Sequence, residues 1–191
     1  MVFEDGNEHA LFFFRTEKQF FKVLAEVDQI CKDHGLVQVV HPHLQTVVET
    51  KRDIDRVVEN SDVMWCLDTG HMTIGGQDTV EFAKKYSSRV GHVHLKDVNM
   101  KSVPPVLARQ QSIMEGVQKG LFTPLGQGDV PILETILALE SAGYQGWYVI
   151  EQDVAITGEM PGLGEGPITG MKQSVDYLHN VVAPALAEIG K

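Results

Sequence analysis

Four short apolar runs punctuate this sequence, and each one ends in histidine or acid. The runs 36–40, 63–67, 90–95 and 147–150 are short, bounded by turn-forming residues and rich in β-branched side chains, so they are expected to be strands. The first three begin at Leu36, Val63 and Val90, a spacing of 27 residues that suits one β/α unit. Amphipathic stretches lie between them. Phe20, Val23, Leu24, Val27, Ile30 and Cys31 recur at helical spacing ahead of Gly35, a helix stop. Ile54, Val57 and Val58 share a face of a helix over 50–60, and Val80, Phe82, Ala83 and Tyr86 mark another over 79–86. Pro131 suits the first turn of a helix over 132–142 that ends at Gly143. A last helix over 171–189 is expected to be kinked or broken by Pro184. The fourth strand is delayed by an insertion, 99–128, with a helix expected over 105–119 among Gly/Pro-rich turns. Such alternation specifies βαβ units and a parallel sheet. No sequence motif recurs at the strand period, so the chain is not a solenoid.

In parallel α/β folds the carboxyl ends of the strands meet at one face, where ligands bind. Here those ends read His41-Pro42-His43, Asp68-Thr69-Gly70-His71, His92-Val93-His94-Leu95-Lys96-Asp97 and Glu151-Gln152-Asp153. Taken singly, a strand-end His is an ordinary polar residue, and an Asp before Thr-Gly is equally a turn former or helix cap. The recurrence on four successive strands points to a shared metal site. Mixed imidazole and carboxylate donors suit Mn²⁺, Co²⁺, Zn²⁺ or Fe²⁺, and the lack of a nearby Cys pair argues against structural zinc. His92 and His94 lie two apart and so share a strand face; one suffices as ligand while the other orients it.

Composition narrows the partners. With 26 acidic and 16 basic residues the net charge is −10, which argues against a nucleic-acid partner. Cys31 and Cys66 both sit in apolar segments and are expected to be reduced core residues of a cytoplasmic protein. No apolar run approaches the roughly 20 residues of a membrane span. The opening segment, 1–15, places Glu4, Asp5 and Glu8 before Leu11, the wrong charge order for a secretory signal. Of the eight histidines, five lie between His41 and His94.

Taken together, Val40-His41-Pro42-His43, Thr46-Val47-Val48-Glu49, Asp68-Thr69-Gly70-His71, Gly91-His92-Val93-His94-Leu95-Lys96-Asp97, Gly126-Gln127-Gly128-Asp129-Val130 and Glu151-Gln152-Asp153 resemble the inosose dehydratase family. That family belongs to the xylose isomerase-like sugar isomerase/epimerase superfamily of (β/α)₈ TIM barrels. The resemblance implies an α/β fold made of the C-terminal half of such a barrel, four β/α units over 16–191, with 1–15 an atypical leading segment. A full barrel typically takes about 250 residues, more than the 191 present. By the same resemblance His41 (Glu in many relatives), Asp68, His94 and Glu151 are the metal ligands, with Mn or Co favoured over Zn or Fe. Glu151 is then the base, His71 or Lys96 the acid, and His43, His92 and Asp97 contact substrate or support the site. One departure is Gln45, where the family has Gly, so that a side chain is expected to crowd the turn after the first strand.

The family reaction is dehydration of a keto-inositol to a dione in inositol catabolism, through loss of an α-proton and then the β-hydroxyl. A thiol cofactor such as glutathione is also implied. A sugar isomerase or epimerase would use the same metal and proton abstraction. An abasic-site endonuclease of the same fold would need a basic groove, against the charge of −10. A non-catalytic half-barrel would expose two strand edges and is expected to form a homodimer through them. Among the remaining motifs, the Gly126-Gln127-Gly128 loop lacks dinucleotide-fingerprint spacing. Trp65 and Trp147 are expected in the core, and the Gly-rich stretch 158–170 is a mobile loop or a lid.

Overall fold

The computed structural model describes residues 16–190, so the leading segment 1–15 lies outside the described residues. Four parallel strands in the order β1-β2-β3-β6 form the main sheet: β1 (Val39–Val40), β2 (Met64–Asp68), β3 (Val90–Leu95) and β6 (Tyr148–Ile150). β4 (Asp97–Val98) and β5 (Phe122–Thr123) make a small antiparallel ladder at the rim. Helices α1 (Glu17–Asp33), α2 (Lys51–Asn60), α4 (Thr79–Tyr86) and α7 (Ile132–Ser141) alternate with the strands, as the periodicity predicts. Their starts are set locally: Thr16 caps α1, Thr50 and Asp53 form a capping box on α2, and Asp78 caps α4.

The sheet's outer face is the core. Trp65 and Leu67 of β2, and Val93 and Leu95 of β3, point to the helices and are at most 1% exposed. Trp65 meets the Phe82 ring of α4 edge to face at 5.6 Å. On β3, Gly91 is an extra residue: Trp65 pairs with Val90, but Cys66 pairs with His92. A Cβ on Gly91 would come within 2.9 Å of Val39 Cγ1, so the bulge needs glycine. Beyond this bulge His92, His94 and Lys96 alternate with the outward Val93 and Leu95, and hence face inward.

Several expectations need correction. β1 is only two residues long; Leu36 and Val37 are 62% and 70% exposed and lie outside it. The insertion holds two short helices, α5 (Pro104–Leu107) and α6 (Ile113–Gln118), because Arg109 takes a left-handed backbone, φ 56°, between them. The last helix begins early, as α8 (Pro167–Tyr177), and crosses Pro184 into α9 (Ala183–Ile189). A π-helical stretch, Leu178–Val182, precedes the proline and lets the ladder adjust where its ring would clash. Trp147 is 78% exposed, outside β6, and Cys31 is only part-buried; Trp65 and Cys66 do occupy the core. Among the described residues, no helix is long and apolar enough to cross a membrane.

Candidate metal centre

The strand ends converge. His41 follows β1, Asp68 ends β2, His94 lies on β3, and Glu151 follows β6 with its N–H bonded to Leu95 O. His41 Nε2 is 3.3 Å from Asp68 Oδ2; His94 Nδ1 is 3.7 Å from Asp68 Oδ2 and 2.7 Å from Glu151 Oε2. One donor atom from each of the four lies within 4.8 Å of the others. His94 Nδ1 and Glu151 Oε2 are buried and make no hydrogen bond of acceptable geometry despite their closeness. Two orphaned buried donors aimed at one space, with an imidazole and a carboxylate more beside them, fit a divalent cation. Cys66 Sγ forms a second group with His41 and His94, deeper on the inner face of β2.

Electrostatics couples these residues. Burial of Asp68 works to raise its pKa, but the imidazoles of His41 and His94 beside it overcome this and hold the carboxyl well below its usual range. The closeness of Asp68, Cys66 and Glu151 lifts His94 to about 11 against desolvation. His94 and, against desolvation, Lys96 bring Glu151 down to about 2. The His94 imidazole is thereby favoured in its charged form between the carboxylates of Asp68 and Glu151.

A second layer centres on Lys96, whose ammonium is wholly buried. Its Nζ lies 2.9 Å from Glu151 Oε1, 3.0 Å from Asp153 Oδ2 and 3.1 Å from His71 Nε2, and sits 4.6 Å over the Phe122 ring. Burial opposes its charge, but Asp68, Glu151 and Asp153 prevail and raise its pKa. The Asp-Thr-Gly-His string builds this arrangement. Asp68 Oδ1 accepts from His71 N at 2.7 Å, capping α3 (Thr69–Ile74). The Thr69 hydroxyl donates to Lys96 O at 2.8 Å and accepts from Lys96 N at 2.9 Å. Gly70 leaves room for the lysine stem, since a Cβ there would lie 2.7 Å from Lys96 Cγ. His71 is kept neutral by burial, its pKa brought to about 3. His43 packs on it with ring centroids 3.8 Å apart, its own Nδ1 donating to Leu44 O at 2.8 Å.

His92 stands at the edge of the group, its ring 5.2 Å from that of His94. Asp97 does not belong to it. Its carboxylate accepts from the backbone N–H groups of Val98, Gly126, Gly128 and Val130 at 2.8–3.1 Å. A Cβ on Gly128 would meet Asp97 Oδ1 at 2.3 Å. Of the two roles expected for it, substrate contact or support of the site, these bonds suit support: Asp97 is buried and holds the 126–130 loop. Gln45 takes a left-handed backbone, φ 62°, with its side chain exposed and its N–H bonded to Glu49 Oε1, so its side chain does not crowd the turn. Glu49 also pairs with Arg109 of the insertion at 2.8 Å. Sequence reading passed over Thr69, Gly70 and Asp153 as site residues. The signal for Asp153 was its place two residues after Glu151, hence on the same side of an extended chain.

The chain is similar to inosose dehydratase of Clostridium perfringens, 38% identical over 145 residues, covering 71% of this chain and 49% of the relative. It is also similar to that of Geobacillus thermodenitrificans, 36% identical over 138 residues, covering 70% and 46%. The chain thus spans about half the length of these curated relatives. Among solved structures it resembles the IOLI protein with bound zinc, with TM-score 0.60 and 18% identity over 87% of this chain and 56% of the other. The probable 3-DHS dehydratase AsbF of Bacillus anthracis matches with TM-score 0.62 and 16% identity, over 87% and 58%. A family model, the xylose isomerase-like TIM barrel, matches residues 4–181. With its parallel strands delivering a ligand cluster at their carboxyl ends, the chain belongs to the xylose isomerase-like TIM barrel family and folds as part of such a barrel.

Proposed function

We propose that the chain carries the metal centre of a hydro-lyase that converts an inosose, a keto-inositol, to a trihydroxycyclohexane dione. The observation that carries this reading is the line Glu151 Oε1–Lys96 Nζ–His71 Nε2, which joins a proton acceptor to a proton donor beside the ligand cluster. A divalent ion held by His41, Asp68, His94 and Glu151 supplies Lewis acidity, which lowers the cost of negative charge on a substrate carbonyl oxygen. Zinc is supported by the IOLI protein, which shares the fold, and Co²⁺, Mn²⁺ and Fe²⁺ suit the same donors.

The chain's own residues handle the protons. Glu151, ionised at neutral pH, accepts the proton next to the carbonyl. Its Oε1 is aimed by Lys96. His71 gives its Nδ1 proton to the departing β-hydroxyl while Lys96 replaces it at Nε2. The proton on Glu151 then restores Lys96, and His71 returns to its first tautomer through solvent after water and product leave. His43 and His92 flank the opening and serve as hydroxyl contacts for the polyol.

A sugar epimerase is the second reading, favoured by the fold match to a D-tagatose 3-epimerase-like protein at TM-score 0.62. Incubation of the metal-loaded chain with an inosose separates the two by mass. The dehydratase reading expects a product lighter by one water, whereas an isomer of unchanged mass, or unaltered substrate, contradicts it.

A further inference from the structure

We propose that Asp153 is a positioning residue: with Glu151 it holds the Lys96 ammonium against His71 and so fixes the His71 ring with its proton on Nδ1. The inference rests on the roles just given to Lys96 and His71, but its first readout does not depend on turnover.

The Lys96 ammonium has three N–H bonds and meets three acceptors, Glu151 Oε1, Asp153 Oδ2 and His71 Nε2, at 2.9–3.1 Å. An ammonium has only donors, so His71 Nε2 must accept and carry no hydrogen. The neutral ring then holds its proton on Nδ1, and Nδ1 is buried without a hydrogen-bond partner in a side chain that is itself 1% exposed. A buried N–H left unpaired by the protein is a costly arrangement, and it is one that a substrate hydroxyl would satisfy.

Asp153 is needed because Glu151 is shared. Its Oε2 faces His94 and the ligand cluster, so a cation there draws on the same carboxylate that Lys96 uses. Asp153 lies outside that cluster, and among the described residues its ion pair is with Lys96 alone. It keeps a full negative charge on Lys96 when Glu151 is committed to a metal. Its side chain is 47% exposed, so truncation opens no core cavity. Gln152, the residue between, packs towards Gly170 instead.

The test is imidazole ¹⁵N NMR on the zinc-loaded protein, with the His71 signal assigned by its loss in His71→Gln. The wild type is expected to show His71 as the Nδ1–H tautomer alone. Asp153→Ala is expected to add the Nε2–H tautomer and to lower kcat for inosose about tenfold, with KM and zinc affinity within about threefold, as for loss of a supporting group. Asp153→Glu restores the single tautomer. An unchanged tautomer in Asp153→Ala overturns the proposal, as does a tenfold loss of zinc affinity, which would make Asp153 part of the metal site. If the chain does not turn over inosose, the dehydratase reading fails while the tautomer comparison still decides the role of Asp153.

Discussion

The two faces of the same sheet follow opposite rules. Outward, Trp65, Leu67, Val93 and Leu95 are sealed against helices and carry no ionisable group. Inward, the neighbouring residues Cys66, Asp68, His94 and Lys96 form a nearly continuous charged and imidazole surface, open enough that His94 and Glu151 retain side-chain exposures of 22% and 32%. A one-residue step along β2 or β3 therefore moves from core to chemistry. The outer face sets stability, and the inner face spends part of it on buried polar groups that only a ligand fully satisfies.

Two tryptophans separate the faces by stability. Trp65→Ala, on the outer face, is expected to destabilise the fold by about 3–5 kcal/mol, through lost burial and a cavity against Phe82. Trp147→Ala, at the exposed foot of β6, is expected to change stability by no more than about 0.5 kcal/mol. Denaturant titration of both reads this directly; equal effects would show that the two positions are buried alike.

A smaller effect comes from pH. Glu151 has a folded pKa near 2 against an ordinary 4.5, so its contribution is present above about 4.5 and lost as pH falls towards 2. His94 runs the other way, its stabilisation present below its ordinary 6.5 and lost as pH climbs through about 11. Because the His94 proton must leave before a cation binds, metal affinity is expected to rise with pH across the neutral range, by up to about tenfold per unit. Calorimetric titration at several pH values checks the slope; a flat profile would mean that His94 is not a ligand.

Much of the outer face was legible because its signal is periodic. The strand cores of β2 and β3 and the helices α2, α4 and α7 follow directly from apolar spacing. That the four strand ends converge was legible because parallel strands place equivalent ends together, and the family resemblance picked out His41, Asp68, His94 and Glu151 among their residues. What escaped was set by tertiary context. Asp97 looks like a site residue beside Lys96, but its direction is fixed by amides some thirty residues later, in the 126–130 loop. The break at Arg109 depends on a backbone conformation that its side chain does not announce. Thr69 and Gly70 read as turn formers, and only the path of Lys96 beneath them shows what they support.

If the four strand ends build one cation site, zinc binding by the 191-residue chain reads it out. One zinc per chain is expected in the wild type, with affinity falling by at least about tenfold in both Asp68→Asn and His94→Gln. A chain that takes up no zinc, cobalt or manganese, or one whose binding is untouched by both substitutions, would contradict it.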